Sequence, residues 1–347
     1  MITELNERLA KPKSFATAGP FALECGRTLP GVRLAYRIWG ELNAAKDNCV
    51  WVLHALTGDS DAATWWSGLI GPGKAIDTCR YFVVCANMLG SCYGSTGPQS
   101  LDPRSGSTWY LRFPLITTRD IVLAFRELRK ELGIAKLHAV IGGSMGGQQA
   151  LEWAAQEPDG IARVISIAAN AFHSPWGIAF NVAQRMALEA DTTFHLVRED
   201  AGSAGLAAAR AMAMITYRTP ELLNERQYDE QRDLLGYKAE SYLRHQGVRL
   251  VQRFNAHSYF TLTRAMDSHD IGRDRGGAEV VLHSIPIPAL VVGIASDVLF
   301  PTAEQRYIAE HLPNATYVEL DSAIGHDGFL LEQELLSSIL IHQDLFP

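Results

Sequence analysis

The sequence has no run of lysine and arginine long enough to lay a positive stripe along a phosphate backbone. Its 31 basic residues are outnumbered by 38 acidic ones, for a formal net charge of −7. Nucleic acids are held by clustered cations, so that class of partner is not expected. Nowhere do roughly 18 apolar residues follow one another, the length a membrane-crossing helix needs. The opening MITELNERLAKPKSFATAGP lacks the apolar core, about 7–15 residues long, of a secretory leader. These absences predict a cytoplasmic protein with no membrane partner.

Cysteine is also scarce. Cys25, Cys49, Cys79, Cys85 and Cys92 form no C-x-x-C pair, and an odd number in a chain of 347 residues predicts reduced thiols rather than a disulfide framework. Cys92 lies in the Gly-rich loop NMLGSCYGSTGP and reads as a small loop residue. There is no H-E-x-x-H and no dinucleotide G-x-G-x-x-G. GLIGPGKA approaches a phosphate-binding loop, but Ala75 stands where a hydroxyl would hold magnesium, Pro72 removes an N–H, and no apolar strand precedes it. No metal and no nucleotide redox cofactor are expected.

What is present is a series of short, β-branched apolar runs separated by helix-length spacers. They are CVWVLH (49–54), YFVVCAN (81–87), LHAVIGG (137–143), ARVISIAA (162–169), ALVVGIA (289–295) and ATYVEL (315–320). Nearly continuous apolar strands belong to a sheet covered on both faces, hence to a mostly parallel α/β sheet flanked by helices. The segment 117–134 carries Ile121, Val122, Phe125 and Leu128 on one helical stripe, and Gly146–Gln156 forms a second helix. Before the first run, 21–42 alternates weakly around Leu29-Pro30-Gly31 and predicts an antiparallel hairpin on the sheet edge. From 172 to 284 the strand pattern stops and helical segments replace it. The predicted organisation is an α/β core of 1–171 and 285–347, with 172–284 inserted as a helical lid.

One stretch concentrates the chemistry. VIGGSMGGQQALEW contains Gly142-Gly143-Ser144-Met145-Gly146, a G-x-S-x-G running from a strand directly into a helix. A strand that reverses into a helix within a residue lifts that residue clear of the sheet, and small neighbours keep the backbones from colliding. The helix N-terminus then favours negative charge developing beside the hydroxyl. Ser144 is thus placed as a nucleophile, needing a base and an acid that orients the base.

The chain order Ser, Asp, His of such folds selects Asp297, just beyond the strand ALVVGIA, and His326, in the Gly-flanked loop SAIGHDGF after the last strand. Asp321 is a rival acid. Acyl transfer also needs two N–H donors aimed at an oxyanion. Met145, after the serine, supplies one, and Leu56, in HALTGDSDA, is the candidate for the other, with His54 supporting that loop.

Taken together, HALTGDS, NMLGSCYGSTGPQS, GGSMGGQQALEWA, SPWGIAFN with QRMALEAD, ITYR, SYFTLTRAMD, SDVLFP and GHDGFL resemble the homoserine O-acetyltransferase family of methionine biosynthesis, from about Tyr36 to Leu331. The resemblance implies an α/β-hydrolase fold with a helical lid, a homodimer formed through that lid, and ping-pong transfer of an acyl group from acetyl-CoA to L-homoserine. It puts the triad on Ser144, Asp297 and His326, and the grip on the amino acid on Arg218, in ITYR, and Asp327, in GHDG. An amino acid offers one carboxylate to an arginine fork and one ammonium to a carboxylate, which fits. Succinyl-CoA as donor, serine as acceptor, a hydrolase of the same fold and a non-catalytic binding protein remain open. Arg273 and Arg275, in HDIGRDRGG, receive no role.

Overall fold

The computed structural model describes residues 11–231, 233–343 and 345–346. Eight strands form one sheet: β1 Lys13–Ala16, β2 Arg33–Trp39, β3 Cys49–Leu53, β4 Phe82–Ala86, β5 Leu137–Gly143, β6 Val164–Ile167, β7 Ala289–Ile294 and β8 Ala315–Leu320. Their order is β1-β2-β4-β3-β5-β6-β7-β8. The pairs β1–β2 and β2–β4 are antiparallel, and every later pair is parallel.

Every residue of β3, β4, β6 and β7 is buried, which is why these runs read as unbroken apolar stretches. On one face Trp51 packs edge-on to Trp153, with ring centroids 5.0 Å apart, and meets Phe125 at 5.9 Å. Those rings come from helices α1 (Thr118–Glu131) and α2 (Met145–Gln156). Thr117 caps α1 reciprocally with Asp120, satisfying N–H groups that the first turn leaves free. The other face buries Trp66, Val52 and Ile141 together with Leu336 and Leu340.

The predicted hairpin takes a different form. Phe21–Ala22 pairs with Thr28–Leu29 as a separate ribbon, and the antiparallel partner of β2 is β1, with Lys13 opposite Tyr36. The strand KSFA is largely exposed, with Phe15 half-buried against the core, so its place in the sheet rests mainly on main-chain hydrogen bonds, and one apolar contact leaves no alternation to read.

Between β6 and β7 the described chain adds no strand to the sheet. It leaves the core at Phe172, bridged to Asp270, with His173 N–H donating to the His269 carbonyl at 2.8 Å and Ile271 N–H to that of Ala171 at 3.0 Å. Within this neck lie α3 (Pro175–Ala190), α4 (Ser203–Tyr217), α5 (Pro220–Arg226), α6 (Lys238–Val251) and α7 (Ala256–Asp267). Helix Ala278–His283 falls on the core side of it, and Val281 and Leu282 join the core cluster. Arg273 pairs with Glu24, and Arg275 with the buried Glu152, so both arginines fasten the returning chain to the core. No described helix is long and apolar enough to cross a membrane.

Candidate active site

Ser144 sits between β5 and α2 with φ +58° and ψ −127°, a conformation side chains rarely adopt. The close turn depends on its neighbours: a Cβ on Gly146 would collide with the Leu53 carbonyl, and one on Gly142 with the Gly146 backbone. His326 Nε2 lies 2.9 Å from Ser144 Oγ, and its Nδ1 lies 2.6 Å from Asp297 Oδ2. The second Asp297 oxygen accepts the N–H groups of Leu299 at 2.8 Å and Phe300 at 2.9 Å, which locks the carboxylate. The rival, Asp321, is exposed.

Burial by itself lowers the pKa of His326, but the charge and hydrogen bond of Asp297 and the charge of Asp327 outweigh it. The net shift is upward from 6.5. The ring stacks on Phe300 at 5.1 Å and 19°. Gly325, at φ +90°, lets the loop turn, and a Cβ there would press on the Tyr217 carbonyl, so the end of α4 can lie against it. Asp327 N–H donates to that carbonyl at 3.2 Å.

Leu56 occupies the second position of a turn closed by Gly58 N–H on the Ala55 carbonyl, 2.9 Å. Among the described residues neither the Leu56 nor the Met145 N–H meets an acceptor, and both residues lie beside Ser144. His54 is buried, and burial lowers its pKa. Its Nε2 accepts the Met88 N–H at 3.1 Å, so Nδ1 carries the proton and donates to the Ala55 carbonyl at 2.9 Å. That carbonyl belongs to the peptide unit whose N–H is Leu56, and the two ends of a trans peptide point oppositely. His54 therefore aims the Leu56 N–H.

A cavity of about 280 Å³ opens over Ser144 and His326. Asp327 lines it, and so do Arg210, Tyr217 and Arg253, none of which the sequence reading singled out. Arg218 is not among the lining residues; its guanidinium lies against the Asp327 carboxylate and holds it. Sequence reasoning expects Arg218 to grip the ligand directly; this arginine follows the last residue of α4, in extended backbone at the helix C-cap, with its guanidinium on Asp327. Arg210 lies two turns before Tyr217 on α4, with its guanidinium 5.4 Å from the Tyr217 ring, and it has no ion pair among the described residues. A signal for it existed, since Arg210 is the one charged residue of Ser203–Tyr217. Burial pushes the Cys92 thiol up to about 11, so it is no nucleophile at neutral pH. Among the described residues no three His, Cys, Asp or Glu side chains gather as metal ligands.

The profile of the family described as alpha/beta hydrolase fold matches residues 48–333. The homoserine O-acetyltransferase of Cyclobacterium marinum is 51% identical over 321 residues, covering 92% of this chain and 91% of the relative. That of Chlorobaculum parvum is 47% identical over 327 residues, covering 93% and 92%. Among solved structures, homoserine O-acetyltransferase from Bacillus anthracis aligns with a TM-score of 0.90 at 25% identity, over 96% of this chain and 97% of that one. Esterase E22 aligns equally well, with a TM-score of 0.90 at 26% identity, over 97% and 100%.

Proposed function

Since the chain belongs to the homoserine O-acetyltransferase family of the alpha/beta hydrolase fold, we propose that it transfers acetyl from acetyl-CoA to the hydroxyl of L-homoserine through an acetyl-Ser144 intermediate. The observation that carries this reading is that Arg210, without an ion pair among the described residues, lines one cavity together with Asp327, Ser144 and His326. A pocket made only for ester hydrolysis has no use for a fixed cation and anion at that spot. An amino acid has both countercharges.

In the first half-reaction Ser144 Oγ attacks the thioester carbonyl while His326 Nε2 takes its proton. The N–H groups of Leu56 and Met145 receive the oxyanion. The C–S bond breaks, His326 returns the proton, and CoA leaves as the thiol. In the second, homoserine enters with its carboxylate on Arg210 and its ammonium on Asp327, which Arg218 holds in place. Its hydroxyl gives a proton to His326 and attacks the acetyl carbonyl, and Ser144 departs reprotonated. Acetyl-CoA is a co-substrate here, not a resident cofactor.

The reading includes a homodimer in the cytoplasm. Leu234 and Leu235 on the insertion are 90% and 85% exposed, apolar area that association would remove from water. All five cysteines are free, which suits a reducing compartment.

The deciding measurement is CoA release from acetyl-CoA or succinyl-CoA with homoserine, serine or no acceptor. Release that requires homoserine and favours acetyl-CoA is expected. Equal release without acceptor would instead establish the hydrolase that the esterase neighbours suggest.

Arg210→Ala separates the two halves of the cycle. Acetyl loading of Ser144, read as a burst, should stay near wild type. Homoserine-dependent turnover should fall by about thirty- to several-thousand-fold, since truncating one partner of a desolvated charge pair costs roughly 2–5 kcal/mol. Equal losses in both steps would remove Arg210 from acceptor binding.

The pH profile follows from His326, which must be neutral to take the serine proton. Its pKa is raised, so the neutral form is lost as pH falls through a value above 6.5, and the acid limb of kcat/KM for acetyl-CoA should lie there. Asp327→Asn removes one of the charges that raise it and should move that limb to lower pH. An unmoved limb would show that Asp327 does not act on His326.

A further inference from the structure

The Leu56 N–H can stabilise an oxyanion only if the turn that carries it is held still. From the core, His54 holds the Ala55 carbonyl. The other end of the turn is held from the insertion. Arg253, between α6 and α7, donates from Nη1 to the Thr57 carbonyl at 2.6 Å and to the Tyr93 hydroxyl at 2.8 Å, and from Nη2 to Thr57 Oγ1 at 3.4 Å. Among the described residues it is the only side chain outside 54–58 that hydrogen-bonds the turn Ala55–Gly58.

Its own placement is braced. Arg253 N–H donates to the Leu250 carbonyl at 3.0 Å, the Phe254 ring stands edge-on to Tyr93 at 5.6 Å, and Asn255 caps α7. Arg253 also lines the catalytic cavity. Oxyanion donors act through preorganisation, and a donor free to swing contributes little when charge develops.

We propose that Arg253 is a positioning residue that clamps the oxyanion turn from the lid, so that the Leu56 donor is in place only while the inserted helices are seated. The clamp rests on the acyl-transfer reading of Ser144 and Leu56. It makes lid seating a condition for acylation itself, and not merely for admitting the acceptor. Among the described residues, loss of the guanidinium removes the donor to the Thr57 carbonyl and leaves the turn held by His54 and by the Gly58 N–H on the Ala55 carbonyl.

The test compares wild type, Arg253→Met and Arg253→Lys in the acylation burst with p-nitrophenyl acetate, in the same burst with acetyl-CoA, and in affinity for a small trifluoromethyl ketone, whose serine adduct places an oxyanion in the hole. Arg253→Met should slow both bursts at saturation by about tenfold or more. Outright loss of an oxyanion donor, on the order of a hundred- to a thousand-fold, is the upper bound. The ketone should weaken by a similar factor, the KM values should change little, and the melting temperature should be unaltered. Arg253→Lys should recover part, because one ammonium reaches the Thr57 carbonyl but cannot fork to Tyr93 as well.

An unchanged ester burst with a raised KM for acetyl-CoA alone would overturn the clamp and make Arg253 a contact for the phosphates of the donor. Unchanged values throughout would overturn it as well, and so would slower bursts with unaltered ketone affinity. The ester burst needs no homoserine. If wild type loads Ser144 but never passes acetyl to homoserine, the proposed function fails while the comparison of Arg253 variants still decides the clamp.

Discussion

Replacing Ser144 by alanine is expected to abolish acyl transfer and leave the fold intact. The hydroxyl projects toward His326 at the cavity floor, and its removal exposes no apolar void. The backbone around it is set by the glycines and by Ser144 N–H on the Ile167 carbonyl at 2.9 Å, and alanine keeps both. Chemistry is a different matter, because loss of the nucleophile of a triad typically removes about a million-fold in rate. The measurement is homoserine-dependent CoA release beside a thermal melt of the same preparation. Residual transfer above about one per cent of wild type, far more than that loss allows, would show that Ser144 does not carry the acetyl group.

Asp297→Asn is expected to be the next most damaging change, and the structure gives the reason atom by atom. One Asp297 oxygen accepts the Leu299 and Phe300 N–H groups, so the carbonyl of an asparagine must stay there. Its NH2 then faces His326 Nδ1, which has to be unprotonated to accept it. The ring proton moves to Nε2, the atom that should receive the serine proton. Such a tautomer error costs on the order of ten-thousand-fold in kcat. Asp321→Asn alters an exposed carboxylate with no bond to the imidazole and should leave turnover within about twofold, the span of an ordinary surface change. Steady-state rates of the two variants settle the ranking, and a greater loss from Asp321→Asn would move the orienting acid to that residue.

Much of the architecture was legible along the chain because its signals are local. The strands buried on both faces announce themselves as unbroken apolar runs, and Ile121, Val122, Phe125 and Leu128 mark the buried stripe of α1. The strand-to-helix turn at Ser144 needs glycines at fixed offsets, so it too is written in consecutive residues. Chain order then pointed to Asp297 and His326, since residues at the C-terminal ends of parallel strands converge on one edge of the sheet.

Other features left no local trace. β1 pairs mainly through its main chain, with Phe15 alone of its four residues set against the core, so KSFA carries no pattern that names its partner. Nothing near ITYR says that Arg218 turns back to hold Asp327, 109 positions away, while Arg210 lines the cavity. A side chain two helical turns distant shares a face with Tyr217, but which face meets the core depends on how α4 packs. The bond from Arg253 to Thr57 spans 196 positions between the insertion and the core. The sequence by itself determined the α/β core and the nucleophile turn, because hydrophobic period and glycine spacing act over a few residues. Only the tertiary structure decided which arginine lines the cavity, which one braces Asp327 and which one holds the oxyanion turn, because a long flexible cation finds its partner only after the helices have been packed into place.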